Sequence, residues 1–268
     1  MGMLRAIRDW LQEPMLRDVD IDGERRIEVH RRILQKKPML KGVFDEIYRL
    51  VLRLDEQLLR GRGRRIEIGA GTSAFKALCP ELVTTDVLPA PHLDMVLDAH
   101  AMALPDASVR AIYGIHCFHH FHDPAAFFRE LLRVLEPGGG CVLVEPYHGP
   151  VAARFFEVVF DSETFDKGQR EWTSDASVME DANQALSWIV FVRDRARFCA
   201  EFPDLEIVAE RWLSNYPRYL LSGGLNFRQL MPSFTIPLWR AFEWLIAPLG
   251  RWTALHHYIV LRKRERPA

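Results

Sequence analysis

Two hydrophobic periods divide the chain. From Leu40 to Leu59 apolar residues recur at Val43, Phe44, Ile47, Leu50, Val51, Leu54 and Leu58, a spacing that lines one face of a helix. Gly61 and Gly63 then stop it. Beyond Gly63 come short apolar runs at Arg64–Ile68, Leu82–Val87, Leu93–Leu97, Val109–Ile115 and Cys141–Glu145. Several are nearly continuous rather than alternating, as expected of strands covered on both faces, so a doubly wound, mostly parallel α/β sheet is predicted. One connecting helix is well marked. Asp123 suits the N-cap, Pro124 the first helical position, and Phe127, Phe128, Leu131, Leu132 and Leu135 form its buried stripe. Pro137 and Gly138 to Gly140 end it before the next strand.

Past Glu145 the pattern predicts a mostly helical insert, then strands at Leu205–Leu213 and His257–Arg262, the last of them antiparallel. No internal repeat or low-complexity run interrupts the chain. The expected organisation is one domain: a helical extension over 1–63, then a sheet domain over 64–268 with inserts at about 148–202 and 214–255.

Composition narrows the function classes. With 49% hydrophobic residues over 268, the chain can bury a substantial core. Thirty-five Lys plus Arg against thirty-six Asp plus Glu leave no global positive field, so nucleic acid is not an expected partner. Cys79, Cys117, Cys141 and Cys199 are widely spaced and form no CxxC pair. That pattern fits a reduced, cytoplasmic protein better than a disulfide framework. Charges break up the apolar residues of the segment 1–18, so no targeting peptide is expected. The stretch from Phe234 to Leu249 contains Arg240, Glu243 and two prolines and falls short of the roughly 20 apolar residues that span a bilayer. Residues 234–252 are nonetheless compatible with peripheral contact at a membrane surface. The basic pairs Arg25/Arg26, Arg31/Arg32 and Lys36/Lys37 read as a solvated helical face, with an anion-binding lid as the sharper alternative.

The central motif is Arg65-Ile-Glu-Ile-Gly-Ala-Gly-Thr-Ser73, a strand entering a glycine turn and a short helix at Ser73 to Leu78. Glycine lets the backbone turn sharply and approach a ligand, while a helix amino terminus offers free N–H groups. Gly69-x-Gly71-x-x-Ala74 also satisfies the dinucleotide fingerprint, which keeps an NAD(P)-dependent oxidoreductase as an alternative. The acidic residues favour another ligand. Glu67, two residues before the first glycine, would repel a pyrophosphate yet suit the cationic amino acid end of a sulfonium. Asp86 ends the second strand and can accept from ribose hydroxyls; Asp98 follows the third and can accept from an adenine amino group.

Five ordered features over about 80 residues, from Ile66 to Glu145, resemble the type 11 family of class I methyltransferases. They are the glycine loop Glu67–Gly71, the carboxylate Asp86, the step Asp98–Pro105, the histidine-rich end of strand four at His116–His122, and the turn Arg133–Gly139. The resemblance implies a Rossmann-like fold and S-adenosylmethionine as cofactor. It implies that Gly69, Ala70 and Gly71 line the methionine part, Asp86 the ribose, and Asp98 with Ala99 the adenine, with His116 beside the cofactor. Ser73 stands where the third glycine is usual, and His100 adds a residue before the Leu-Pro step. The flanks, at Asn183 to Phe191 and Tyr219 to Gly224, resemble a narrower bacterial group associated with polysaccharide or cell-envelope gene neighbourhoods.

Methyl transfer needs an acceptor held in line with the sulfonium, and a general base is optional. Candidate bases at strand ends are His119 and His120 after strand four and Glu145, Tyr147 and His148 after strand five; His120 and His148 are favoured. Against these stand plain structural roles, a packed histidine ring or a capping carboxylate. His116, His119, His120 and His122 lie in one turn without carboxylate partners at ligand spacing, so no metal site is expected. Trp188, Arg193, Asp194 and Arg195 in one insert, and Trp212, Tyr216, Tyr219, Trp239 and Trp244 in the other, suit a sugar or lipid-linked acceptor or simply a small local core. The expected activity is transfer of a methyl group to a small-molecule, glycan or lipid-linked acceptor, with a non-catalytic scaffold that binds adenosylmethionine as the remaining alternative.

Overall fold

The computed structural model describes residues 10–17, 19, 24–159, 163–174 and 182–265. The start of the amino-terminal segment and parts of the first insert lie outside these residues. Seven strands form one sheet: β1 Arg64–Ile68, β2 Val83–Asp86, β3 Met95–Val96, β4 Val109–Ile115, β5 Leu135–Pro146, β6 Leu205–Trp212 and β7 His256–Lys263. Their order is β3-β2-β1-β4-β5-β7-β6. β1 to β5 pair in parallel, whereas β7 runs antiparallel to both β5 and β6. The sheet is the α/β Rossmann-like arrangement expected from the sequence, with its last strand reversed.

Both faces are covered, which explains the unbroken apolar runs. Along β5, Val142 and Val144 join the core under helix α2 (Pro38–Leu58), while Cys141 and Leu143 join the opposite core. The α2 side buries Val43, Ile47, Tyr48, Val51 and Leu54 against Phe75, Tyr113 and Val260. On the other side helix α3 (Pro124–Val134) buries Phe127, Phe128 and Leu131. Phe128 stands 5.0 Å from Phe198 and 5.9 Å from Phe191, ring centre to ring centre. Burying each such ring contributes about 1.5–3 kcal/mol. Asp123 caps α3, its side chain accepting from the Ala126 N–H at 2.9 Å.

A carboxylate pins α2 to the starts of the strands. Asp55 is fully buried and accepts from Arg65 Nε at 2.8 Å, Arg110 Nε at 3.0 Å and the Tyr113 hydroxyl at 2.8 Å. Ahead of α2, helix α1 (Glu24–Lys36) carries the basic pairs. Lys37 departs from the solvated reading: it is buried, pairs with Glu13 at 3.0 Å and donates to the carbonyls of Gly224 and Phe227.

Besides a shortened β3, two elements differ from their sequence expectation. The Pro-Gly-Gly-Gly segment belongs to β5, which pairs Val109 with Leu135 and then shifts register to pair Ala111 with Gly140. The helix after the glycine loop is one 3-10 turn, Ala74–Ala77. In the second half, the helices are α4 (Pro150–Val159), α5 (Arg195–Glu201), α6 (Tyr216–Ser222) and α7 (Ile236–Ile246), with a short helical segment at Leu186–Trp188 running into a π turn at Ile189–Arg193. Arg218 on α6 is buried between Glu243 of α7, at 2.7 Å, and Glu46 of α2. With its buried face held there, α7 and its flanks turn Phe234, Leu238, Phe242, Trp244, Leu245, Leu249 and Trp252 to solvent. Among the described residues no helix is long and apolar enough to cross a membrane.

Candidate functional site

β1 leads to β2 on one side of the sheet and β4 lies on its other side, so the order reverses between β1 and β4. Ligands of open α/β sheets bind outside the carboxyl ends of strands at such a switch point. The loops following β1 and β4 meet there. A Cβ on Gly69 would stand 2.7 Å from the Cβ of Cys117, and Gly69 and Gly71 hold φ of 60° and 45°. Any larger residue at 69 would therefore clash and be strained. Two non-glycine residues of these loops adopt the same left-handed backbone, Ser73 at φ 53° and His116 at φ 55°. Such positions cost of order 1–3 kcal/mol and cluster at functional sites.

Three carboxylates line the successive strand ends. Glu67 is buried on the α2 side near Tyr48, and its Oε2 has no hydrogen-bond partner among the described residues. Burial, reinforced by the charge of Asp86, pushes its carboxyl up to about 8. Asp86 accepts from the Gly71 N–H at 3.1 Å and the Leu88 N–H at 3.3 Å, which joins the tip of β2 to the glycine loop. Asp98 lies two residues past β3, on an exposed loop; one of its oxygens accepts from the His100 N–H at 2.8 Å and meets His100 Nδ1 at 2.8 Å. Those contacts hold its carboxyl below the usual range, against the opposing effect of partial burial. Glu67 and Asp86 thus share one locality, and Asp98 stands one strand further on. Ala70 donates its N–H to the Thr85 carbonyl at 2.9 Å, and Ala99 is buried.

A second group forms at the ends of β4 and β5. Glu145, fully buried, accepts from the N–H groups of Cys117 at 3.0 Å, Phe118 at 2.9 Å and His119 at 3.3 Å, and from His119 Nδ1 at 2.6 Å. It is the capping carboxylate of the turn Phe118–His120, and these partners hold it ionised despite its burial. The other ring nitrogen of His119 stands 3.6 Å from Glu163 Oε2. Burial opposes protonation of His119, but the two carboxylates prevail and push it up to about 10. The His120 ring lies 4.2 Å from that of His119. Its Nδ1 is buried without a partner among the described residues, and burial brings its pKa down to about 4. His119, His120 and Glu163 place one ligand-capable atom each within 4.8 Å of one another.

His116 packs edge-on to His256 at 4.5 Å and parallel to Tyr219 of α6 at 6.4 Å. Its Nε2 also lacks a partner among the described residues, and burial keeps the ring neutral, near pKa 4. His148 belongs to a separate cluster with Tyr147, His257 and Trp188. It too has an unpartnered Nδ1 and a pKa lowered to about 4, chiefly by burial and secondarily by Lys167. His116 and His120 therefore share one neighbourhood, while His148 sits in another.

Glu163 and His256 are not singled out as site residues by their sequence context, whereas Tyr219 groups with the aromatic residues of the second insert. Glu163 is placed by the pairing of Thr164 with Asn183 and by Gln184 Nε2, which donates to its Oε2 at 2.6 Å. Tyr219 and His256 meet because α6 folds back onto the start of β7. For His256 the advance signal is the histidine doublet 256–257 opening the last strand.

Residues 66–143 match the family model for a methyltransferase domain. A norajmaline N-methyltransferase from Rauvolfia serpentina is 25% identical over 172 residues, 64% of this chain and 51% of that protein. The match thus spans about half the length of this curated relative. Among solved structures, a geranyl diphosphate C-methyltransferase from Streptomyces coelicolor is 17% identical, covering 84% of this chain and 83% of that chain at a TM-score of 0.48. Phosphoethanolamine N-methyltransferase 2 from Haemonchus contortus is 14% identical, covering 93% and 59% at a TM-score of 0.48.

Proposed function

On the premise that residues 66–143 form a class I methyltransferase domain, we propose that this protein transfers a methyl group from S-adenosylmethionine to a small-molecule, glycan or lipid-linked acceptor. The observation that carries the proposal is Glu67, a buried carboxylate with an unpartnered oxygen beside a glycine loop that only a Cβ-free residue can form. An orphaned buried oxygen costs free energy until a donor reaches it, and an ammonium group supplies that donor. The residues present fit the cofactor. Glu67 with Gly69, Ala70 and Gly71 would hold the amino acid end, Asp86 the ribose, Asp98 and Ala99 the adenine, and His116 would stand beside the sulfonium. When bound, S-adenosylmethionine supplies an electrophilic methyl on a positively charged sulfur.

The chain's own contribution is positioning and exclusion of water. Its aromatic and imidazole walls lower the local dielectric around the acceptor. His120 is neutral at pH 7 with a free Nδ1, so it accepts a hydrogen bond from an acceptor hydroxyl or amine. A pKa near 4 makes it a weak base in the ground state. It takes the proton only as the new bond to the methyl carbon forms and the acceptor atom becomes acidic. His148 offers the same chemistry to an acceptor entering past Trp188.

The 3-10 turn Ala74–Ala77 disfavours the oxidoreductase alternative, because a single turn of four residues offers little of the helix terminus that a pyrophosphate requires. Among acceptors, the apolar face of residues 234–252 favours a lipid-linked one at the cytoplasmic membrane surface. α6 is tied to α7 through Arg218 and presents Tyr219 to His116, so α6 links the helix that carries that face to the strand-end cluster. The test is radiolabelled transfer from S-adenosylmethionine to total cellular lipid and to the aqueous metabolite fraction. Label in the lipid fraction supports this reading; label confined to the aqueous fraction removes the lipid-linked choice; none in either fraction contradicts the enzyme.

A further inference from the structure

We propose that His119, His120 and Glu163 form a site for one borderline first-row divalent cation, with Zn2+ as the reference ion. Ligands on a tetrahedral ion at about 2.1 Å stand roughly 3.4 Å apart, close to the 3.6 Å that separates His119 Nε2 from Glu163 Oε2. The third ligand atom lies within 4.8 Å of both. Consecutive residues of a one-turn helix ordinarily direct their side chains apart, yet the rings of His119 and His120 are 4.2 Å apart at 39°. Both are turned to the side from which Glu163 arrives.

The surrounding hydrogen bonds are those of a metal centre. A ligating histidine generally gives its second ring N–H to a carboxylate, which fixes the tautomer and aims the other nitrogen at the ion. His119 Nδ1 meets the fully buried Glu145 at 2.6 Å, leaving Nε2 toward Glu163. Glu145 is itself held by three backbone N–H groups, so the imidazole cannot swing freely. Glu163 is braced in turn by Gln184 at 2.6 Å. The buried, unpartnered His120 Nδ1 remains to be used. Two carboxylates converge on one imidazole, and a divalent ion in place of its Nε2 proton would balance them more completely. Two imidazoles and one carboxylate suit zinc, iron or cobalt rather than magnesium or calcium, which prefer oxygen ligands.

Three protein ligands leave a position open, and Tyr219 and His116 are close enough for the charge of Glu163 to act on them. An oxygen of the acceptor could occupy that position and be made more acidic by the ion. With the ion bound, His120 Nδ1 is a ligand and cannot also take the acceptor's proton, so the ion then replaces His120 as the group that activates the acceptor; this last role rests on the methyl-transfer reading, and the binding site does not.

The test uses the full, untagged chain, stripped with chelator and titrated calorimetrically with Zn2+, with Mg2+ as control and no cofactor present. We expect one equivalent of Zn2+ per chain, no Mg2+ binding, and ligand-field absorption when Co2+ replaces Zn2+. Glu163→Gln and His120→Asn should each weaken Zn2+ binding at least 10-fold while the metal-free melting temperature stays within a few degrees. Absence of Zn2+ binding to the folded chain would mean that Glu145 and Glu163 merely share a proton on His119, and would overturn the site. Stoichiometric binding that both variants leave unchanged would overturn it equally, since the ion would then lie elsewhere.

Discussion

The carboxylate of Glu145 and the Nδ1 of His119 stand 2.6 Å apart, fully buried, at the tips of two adjacent strands. This contact ties β5 to the turn after β4, and the same carboxylate gathers the N–H groups of Cys117 and Phe118. Removing one member of a buried charged pair leaves the other uncompensated and costs about 3–5 kcal/mol. Glu145→Ala should lose stability of that order in urea unfolding with little change of slope. A loss below about 1 kcal/mol would show that the turn does not depend on this carboxylate.

Asp55 makes a comparable prediction at the opposite edge of the sheet. Arg65, Arg110 and Tyr113 converge on it, and burial together with its charge holds the Tyr113 phenol well above its usual range. Asp55→Ala strands two guanidinium groups and should destabilise the chain by about 3–5 kcal/mol. Cofactor affinity per folded molecule should not change, because the site lies at the other ends of these strands.

With Glu67 holding the amino acid end of the cofactor, as proposed, binding should be linked to pH. The Glu67 carboxyl is pushed up to about 8 in the free protein, so it is mostly protonated at neutral pH. Pairing with an ammonium requires the ionised form. Binding at pH 7 should therefore release close to one proton, and affinity should rise from pH 6 to 8 and level off above. Calorimetry in buffers of different ionisation enthalpy measures that proton, and an affinity flat across the range would contradict the assignment. For the free protein the sign is opposite. With a folded pKa above the ordinary 4.5, the stability that Glu67 contributes is complete below about 4.5 and is lost as pH rises through 8.

The apolar face beside α7 predicts interfacial binding. Phe234 and Trp244 are 83% and 81% exposed, and the Arg251 guanidinium lies 3.6 Å from the Trp252 ring centre. Aromatic residues with a neighbouring cation suit the headgroup boundary of an anionic bilayer. The chain should co-float with vesicles containing phosphatidylglycerol, and the pair Trp244→Ser with Leu245→Ser should reduce the bound fraction several-fold. Equal flotation of wild type and double variant would remove the membrane reading.

Much of this architecture is legible in the sequence, for identifiable reasons. β1 and β4 occupy the predicted residues because both are central strands whose apolar runs are bounded by turn residues. β3 shrinks to Met95–Val96, since an edge strand has one partner and Asp94 is drawn to the Thr84 N–H. The early start of β5 is hidden because Pro137 and three glycines read as a turn, whereas the strand absorbs them by a register shift. The glycine loop and the acidic strand tips are local features and could be read directly. Glu163 could not be, because its relation to His119 arises from pairing between distant segments rather than from any short-range pattern.

The central claim is that the β1–β4 switch point binds an adenosyl sulfonium through Glu67 and Asp86. Calorimetric titration of the full chain with S-adenosylmethionine, alongside Asp86→Ala, tests it most directly. The account predicts one site per wild-type chain and an affinity at least 10-fold weaker in the variant. Absence of binding by the folded wild type, or equal affinity in both proteins, would contradict it.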